Sequence, residues 1–305
     1  MQHHSKGAIN ILITGGSGLI GSNLIPIIRP CNVAVYTRNV AMAEQILGHK
    51  IHYLSTLSHL DNLDEYDVVI NLAGEPIVAK KWTEEQKQKI EQSRWTITEQ
   101  IVALIKAGKK PPELLISGSA IGFYGRQSDQ LIDEDFSDVH HEFSHQLCAK
   151  WEDLANQAKS DKTRVCIVRT GVVITKRGGA LQKMMKPFQF GLGGPIGQGN
   201  QYISWIHLED MLQGIAHLIA NQSCEGIYNF TAPNPVTNLE FSKELANALS
   251  RPCFLRVPEF ALRMMMGEMA DLVIYGQRVI PKRLLASGYE FIYPTISQAF
   301  DGLRN

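Results

Sequence analysis

Residues 9–21 read INILITGGSGLIG, and the reading of this stretch decides the fold. Ile9, Ile11, Leu12 and Ile13 make an apolar run of the length a buried strand needs, and it stops at Thr14, Gly15 and Gly16. Beyond the turn the glycines fall at Gly15, Gly18 and Gly21, while Leu19, Ile20, Leu24 and Ile25 recur as one face of a helix. A dinucleotide pyrophosphate has to approach bare backbone N–H groups at a helix N-terminus, where the dipole favours its charge and side chains would obstruct it. Glycines alone mark ordinary turns. Strand, glycine turn and helix in this order mark a nucleotide site, with Leu19 and Ile20 counted beside the three glycines as cofactor contacts.

Working outward, residues 32–37 (NVAVYT) read as a second strand ending at Arg38. A residue at that strand end sits beside the adenosine ribose, where a carboxylate favours NAD and an arginine accommodates the extra phosphate of NADP, so Arg38 points to NADP over NAD. Residues 52–54 suggest a short third strand, and 67–72 (DVVINL) a buried one, after which Ala73 and Gly74 let the chain pass close to a cofactor. Residues 83–107 form a long helix capped by Thr83, with Ile90, Ile97, Ile101, Leu104 and Ile105 along one side and Lys87, Lys89, Glu91 and Arg94 read as a solvated face. Strands follow at 114–117 and 164–170, separated by the loop SGSAIGFYG (117–125) and a helix over 151–158. Strands alternating with helices imply a parallel sheet wound by right-handed crossovers.

After Val173 the texture changes. Residues 176–201 are rich in Lys, Met and Gly and read as an excursion from the sheet, its glycine run as a plain loop lacking the preceding strand of a second phosphate site. A helix over 211–220, a strand over 226–231 and a helix over 238–249 capped by Asn238 come next, and Pro258, Pro281 and Pro294 break the tail into short elements. The cluster of Met264, Met265, Met266 and Met269 reads as adaptable core or pocket lining rather than a metal site.

Composition narrows the function classes. Thirty basic residues balance thirty acidic ones among 305, so no global field recruits nucleic acid or an anionic membrane. Five cysteines without a C-x-x-C pair argue for neither a disulfide framework nor a zinc site, and a reducing cytoplasm is expected. No apolar run reaches membrane-span length, and MQHHSKGAIN, with His3 and His4, reads as a loose terminus without a signal core.

TGGSGLIG, Arg38, NLAG at 71–74, SGSA at 117–120, RTGVV at 169–173 and WIHLED at 205–210 resemble an extended short-chain dehydrogenase/reductase. More narrowly, GEPIVAKKWTEEQKQKIEQSR, GQGNQYISWIHLED, NFTAPNPVTNLEF and GQRVIPKRLLASGYEF resemble the epimerase-family proteins often labelled nucleoside-diphosphate-sugar epimerases. The resemblance implies an α/β, Rossmann-type doubly wound domain (1–175 and 202–232) with a small C-terminal α+β substrate module (176–201 and 233–305). It also implies cofactor contacts at Asn71, Ala73 and Gly74, a substrate-orienting serine at Ser119 with Ser117 as rival, and site positions at Arg169, His207 and Asp210. Arg169 is counted with the cofactor residues, as is Ser117, and His207 and Asp210 with the substrate. A homodimer through two sheet-flanking helices is common in the superfamily, and the sequence itself does not fix the oligomeric state.

The catalytic pair departs from the pattern. Such enzymes take a proton with a tyrosine whose pKa a lysine four residues on lowers, and none of the nine tyrosines here has a lysine at that spacing. Aligning on Glu152 puts Ser144 in the tyrosine slot and Cys148 in the lysine slot, and neither replaces its counterpart. Tyr124 is the catalytic candidate that remains, with Lys150, His145 and Cys148 weaker ones; His145 reads most simply as an exposed helix residue and Cys148 as a small buried hydrophobe. Two main readings stand at this point: an NADP-dependent oxidoreductase or epimerase acting on a nucleotide-linked sugar or other small carbonyl compound, and a dinucleotide sensor without catalysis. A purely structural interaction protein is the third.

Overall fold

The computed structural model describes residues 8–28 and 30–303, so His3 and His4 lie outside the described residues. In chain order the elements begin β1 (Asn10–Thr14), α1 (Leu19–Leu24), β2 (Asn32–Tyr36), α2 (Val40–Leu47), β3 (His52–Leu54), β4 (Val68–Asn71), α3 (Glu84–Ala107) and β5 (Leu114–Ala120). They continue with β6 (Leu131–Ile132), α4 (Phe143–Asn156), β7 (Arg164–Thr170), β8 (Val172–Ile174), α5 (Gly179–Gln189), β9 (Tyr202–Ile203), β10 (Trp205–His207), α6 (Leu208–Ala220) and β11 (Gly226–Phe230). The tail holds β12 (Val236–Thr237), α7 (Asn238–Ala248), α8 (Glu259–Met266), α9 (Asp271–Ile274), β13 (Arg278–Val279), α10 (Lys282–Ala286) and α11 (Ile296–Asp301).

Seven strands form one parallel sheet in the order β11-β7-β5-β4-β1-β2-β3. The side-chain period of two explains why these runs are apolar throughout. Ile11, Ile13, Ile70, Ile116 and Val168 face one layer, with Leu24, Ile25, Met211 and Ile215 of the α1 and α6 side. Leu12, Val69, Leu115 and Ile167 face the other, with Ile97, Ile101 and Ile105 of α3 and Ala155 of α4. The chain leaves β1 toward β2 on one side and β4 on the other, so a crevice opens over the C-terminal ends of β1 and β4, where doubly wound sheets bind ligands.

A third core lies off the sheet, where Leu181 and Phe188 of α5, Phe241 and Leu245 of α7 and Phe300 of α11 pack with Trp205. The smaller C-terminal module is thus present, and residues 176–201 contain a packed helix instead of loop alone. The glycine run after α5 is a loop, as read, and its glycines at 193, 194, 197 and 199 are hemmed in by Phe188, Leu255, Glu259 and Leu239. Three local readings change. The α7 cap is Thr237, accepting from the Glu240 amide at 3.2 Å, while Asn238 Oδ1 accepts from the Ile196 amide at 2.7 Å. Met264 and Met265 are exposed and only Met269 of the methionine cluster is buried. On α3 the expected solvated face fails at two residues: Lys87 pairs with Glu268 at 2.7 Å, and Arg94 is half-buried.

Candidate functional site

The glycine turn is close-packed backbone on backbone. Gly15 has φ +70°, and a Cβ there would lie 2.6 Å from the Leu72 carbonyl oxygen at the end of β4; a Cβ at Gly21 would lie 2.6 Å from the Gly15 carbonyl oxygen. The Gly18 amide donates to the Gly15 carbonyl at 3.0 Å and closes the turn. Gly18 is also the α1 N-cap and offers no side chain, so no side chain caps the start of the helix, at Leu19 and Ile20. The Leu19 side chain lies against Gly178 and Gly179 at the start of α5. Arg38 is exposed just past β2, with Asn39 capping α2 beside it.

The crevice floor is a chain of hydrogen bonds. The Thr14 hydroxyl donates to Asn71 Oδ1 at 2.6 Å and accepts from the Ala73 amide at 3.2 Å, and Asn71 Nδ2 donates to the Thr98 hydroxyl at 2.8 Å. The Trp151 indole donates to the same hydroxyl at 3.0 Å. Asn71 therefore spends its side chain on aligning β1, β4 and α3, and Ala73 and Gly74 are what it leaves facing outward.

Ser119 and Arg169 are register partners on β5 and β7, and Glu152 of α4 lies over both. The Ser119 hydroxyl donates to Glu152 Oε1 at 2.6 Å, and Arg169 grips the same carboxylate through Nε at 2.9 Å and Nη2 at 2.7 Å. All three are buried, and the ion pair has the two-pronged geometry that makes a buried charge tolerable. Burial works against the Arg169 charge, but the paired carboxylate more than offsets it and leaves the guanidinium more basic than usual. Its flat face lies 3.4 Å from the Phe123 ring centroid. Ser117, the rival serine, is fully buried and donates only to the adjacent Gly118 carbonyl at 3.3 Å.

The vacated Tyr and Lys slots are filled by small buried groups. Ser144 donates to Glu142 at 2.7 Å, and burial pushes the Cys148 thiol up to about 11, so it is an inert hydrophobe. His145 is buried, its Nδ1 2.5 Å from the Phe123 carbonyl oxygen, which corrects the exposed reading; Lys150 points away, its Nζ 4.1 Å from the Trp95 ring centroid.

Three expected site residues hold the chain together. Tyr124 is fully buried and donates to Asn229 Oδ1 at 2.8 Å, with burial raising its pKa. Its hydroxyl joins the β11 end to the tail, since Asn229 in turn donates to the Ile280 carbonyl at 3.0 Å. His207 caps α6, Nδ1 accepting from the Glu209 amide at 3.2 Å. Asp210 is fully buried and accepts from the Ile292 amide at 2.7 Å, the Tyr293 amide at 3.0 Å and the Tyr289 hydroxyl at 3.0 Å. Glu152 is the site residue that sequence reasoning used only as a ruler. A lone acidic residue on an otherwise apolar helix face, between Cys148 and Ala155, was the available signal.

Among the described residues no helix is long and apolar enough to cross a membrane, and no His, Cys, Asp and Glu cluster could hold a metal. Residues 11–230 match the NAD dependent epimerase/dehydratase family, and residues 257–303 match a domain of unknown function. The chain is 38% identical over 302 residues to the chloroplastic epimerase family protein SDR39U1 homolog of Arabidopsis thaliana, covering 96% of this chain and 86% of that one. It is 36% identical to the epimerase family protein YfhF of Bacillus subtilis, over 97% of this chain and 98% of that one. The human epimerase family protein SDR39U1, solved with NADPH, superposes with a TM-score of 0.89 at 31% identity, covering 97% and 99% of the two chains. On the glycine turn, the crevice and these relatives together, the chain belongs to the NAD dependent epimerase/dehydratase family.

Proposed function

We propose that this protein binds NADP(H) across the crevice and acts as an oxidoreductase or epimerase on a small hydroxyl or carbonyl compound, a nucleotide-linked sugar among the candidates. The observation that carries the reading is the Gly15–Gly21 turn, where an added Cβ would meet backbone at 2.6 Å and no side chain caps α1, leaving a cradle shaped for a pyrophosphate. Exposed Arg38 suits the adenosine phosphate. The relative solved with NADPH supports that choice, although other solved proteins of this fold, such as the Bacillus cereus UDP-glucuronic acid 4-epimerase at 16% identity, hold NAD.

The bound nicotinamide would supply or accept hydride. Ser119 would orient the reacting oxygen. Its proton is held by Glu152, so Oγ presents lone pairs and accepts from a substrate hydroxyl. Arg169 holds the Glu152 carboxylate in place for that task. Tyr124 has its hydroxyl on Asn229, so proton movement is assigned to water reaching Ser119. Residues 176–201 and 233–305 would form the substrate-binding side, and the free cysteines suit a reducing cytoplasm.

A second reading, a dinucleotide sensor without turnover, is favoured by one observation: Ser144 and Cys148 fill the slots of the acid-base pair. Calorimetric titration with NADP(H) and NAD(H), for the wild type and Arg38→Asp, tests the cofactor. The expected result is tighter NADP(H) binding that Arg38→Asp weakens by about 1–3 kcal/mol, and absence of binding by either dinucleotide would end both readings. A nicotinamide absorbance change with any substrate, lost in Ser119→Ala, then separates enzyme from sensor.

A further inference from the structure

Arg94 lies on the buried stripe of α3, in helical register with Ile90, Ile97 and Ile101. It has no carboxylate partner within ion-pair distance among the described residues. Nη1 donates back to the Ile90 carbonyl at 3.1 Å and to the Ser93 hydroxyl at 3.3 Å, and the guanidinium carbon sits 5.3 Å from the Trp151 ring centroid. Gly74 lies over the flat face of the guanidinium. A Cβ at that exposed glycine would lie 2.9 Å from Cζ, 3.0 Å from Nη2 and 3.2 Å from Nε, so the fork occupies the space that a side chain at the end of β4 would take.

Nε and Nη2 have no hydrogen-bond partner among the described residues. Among the described residues the fully sealed unpaired side-chain atoms are Asp64 Oδ1, Gln86 Nε2 and Arg278 Nε, so Nε and Nη2 of the half-buried Arg94 keep some contact with solvent. Burial lowers the pKa of Arg94, with Cys148 and Glu75 opposing it from nearby. Cys148 is the residue that stands in the lysine slot, so the positive charge absent from α4 is present one helix away, on the same crevice.

We propose that the Nε–Nη2 fork of Arg94 is an anion anchor, taking a planar carboxylate of the substrate beside Gly74, so that the substrate class is a carboxylate-bearing hydroxy or carbonyl compound. A guanidinium edge presents two parallel N–H groups at the spacing of two carboxylate oxygens, and a helix carbonyl and a serine hydroxyl already hold the opposite edge in place. This rests on the reading of the crevice as a hydride-transfer site.

The test uses oxalate as the probe. Oxalate is titrated into the NADPH complex, followed by nicotinamide fluorescence, and into the free protein by calorimetry, for wild type, Arg94→Met and Arg94→Lys. The expected result is that Arg94→Met weakens oxalate by at least about tenfold, Arg94→Lys by less, and NADPH affinity moves by no more than about twofold. Gly74→Ala, whose methyl displaces the fork, weakens oxalate as well. Equal oxalate affinity in wild type and Arg94→Met, or no oxalate binding to either wild-type form, overturns the proposal. Loss of NADPH affinity matching the loss of oxalate overturns it too, by assigning the fork to the cofactor. Failure of wild type to bind NADPH ends the cofactor reading instead, and the free-protein titration then decides the fork alone. Circular dichroism melts establish that each variant is folded.

Discussion

Ser119 and Glu152 meet at 2.6 Å over the crevice floor, hydroxyl to carboxylate, with Arg169 holding the far side of the same carboxylate. The relationship couples chemistry to stability, because the group that would set the serine's orientation is also half of a buried ion pair. The two roles separate on mutation. Ser119→Ala is expected to lower turnover by about 10²-fold or more with little change in NADPH affinity, read by steady-state kinetics. Glu152→Ala strands Arg169 as a buried unpaired charge and is expected to cost about 3–5 kcal/mol in urea unfolding. A loss under ~1 kcal/mol would mean that water reaches the guanidinium.

Gly21→Ala tests the turn. Its methyl would meet the Gly15 carbonyl oxygen and the Gly16 Cα, both at 2.6 Å, and both are backbone that cannot swing aside. The variant is expected to lose about 1–3 kcal/mol of stability and most of its dinucleotide affinity, measured by thermal melting with and without NADPH. A variant that melts like wild type and still gains stability from NADPH would remove the turn from the site.

His207 predicts a pH dependence. Burial lowers its pKa below the ordinary 6.5, and a protonated ring could not accept from the Glu209 amide. The sign follows from linkage: the unfolded chain takes up the proton first, so the contribution is complete above pH 6.5 and is lost as pH falls toward the lower folded value. Urea midpoints at pH 7.5 and 5.5 should differ in that direction, and His207→Asn, which keeps a cap, should reduce the difference. An unchanged difference in His207→Asn places the titrating group elsewhere.

The junction between the tail and the loop after β5 should loosen in acid. Lys282 Nζ lies 2.8 Å from both Asp133 and Asp135, and Arg283 Nη2 lies 2.6 Å from Asp135. Hydrogen bonds to Lys282 hold both carboxyls below their ordinary 3.8. Stability from these pairs is therefore present above pH 3.8 and is lost as pH falls through the lower folded values. Hydrogen exchange at residues 131–135 and 278–283 should rise in that window before the sheet strands exchange, and simultaneous exchange of both would refute local loosening.

Much of this was legible in the chain, for physical reasons that differ by residue. Strands β1, β4 and β7 announce themselves because both faces of a parallel sheet are covered, and Thr83 caps α3 as expected, accepting from the Gln86 amide at 3.2 Å. The third core and the short tail elements were less visible, since their partners are far apart in sequence. Arg94 was misread as solvated although it falls four residues after Ile90 and three before Ile97, on the apolar stripe. A charge on such a stripe is a signal, and its charge overshadowed its position. His207 and Asp210 were placed in the site by resemblance and Tyr124 by its place in the loop after Ser119, while their hydrogen bonds are to the chain's own backbone and side chains, which spacing does not reveal.

The Asp210 carboxylate has its amide partners 82 and 83 residues further along the chain. During synthesis, α6 and the sheet face beneath it can form on the ribosome, but that carboxylate then faces an apolar layer without partners until Tyr289, Ile292 and Tyr293 have left the exit tunnel. The α6 layer is therefore completed only once residues 289–293 are in place, and a chain cut short before Tyr289 is expected to be a substrate for chaperones and proteases rather than a smaller working protein.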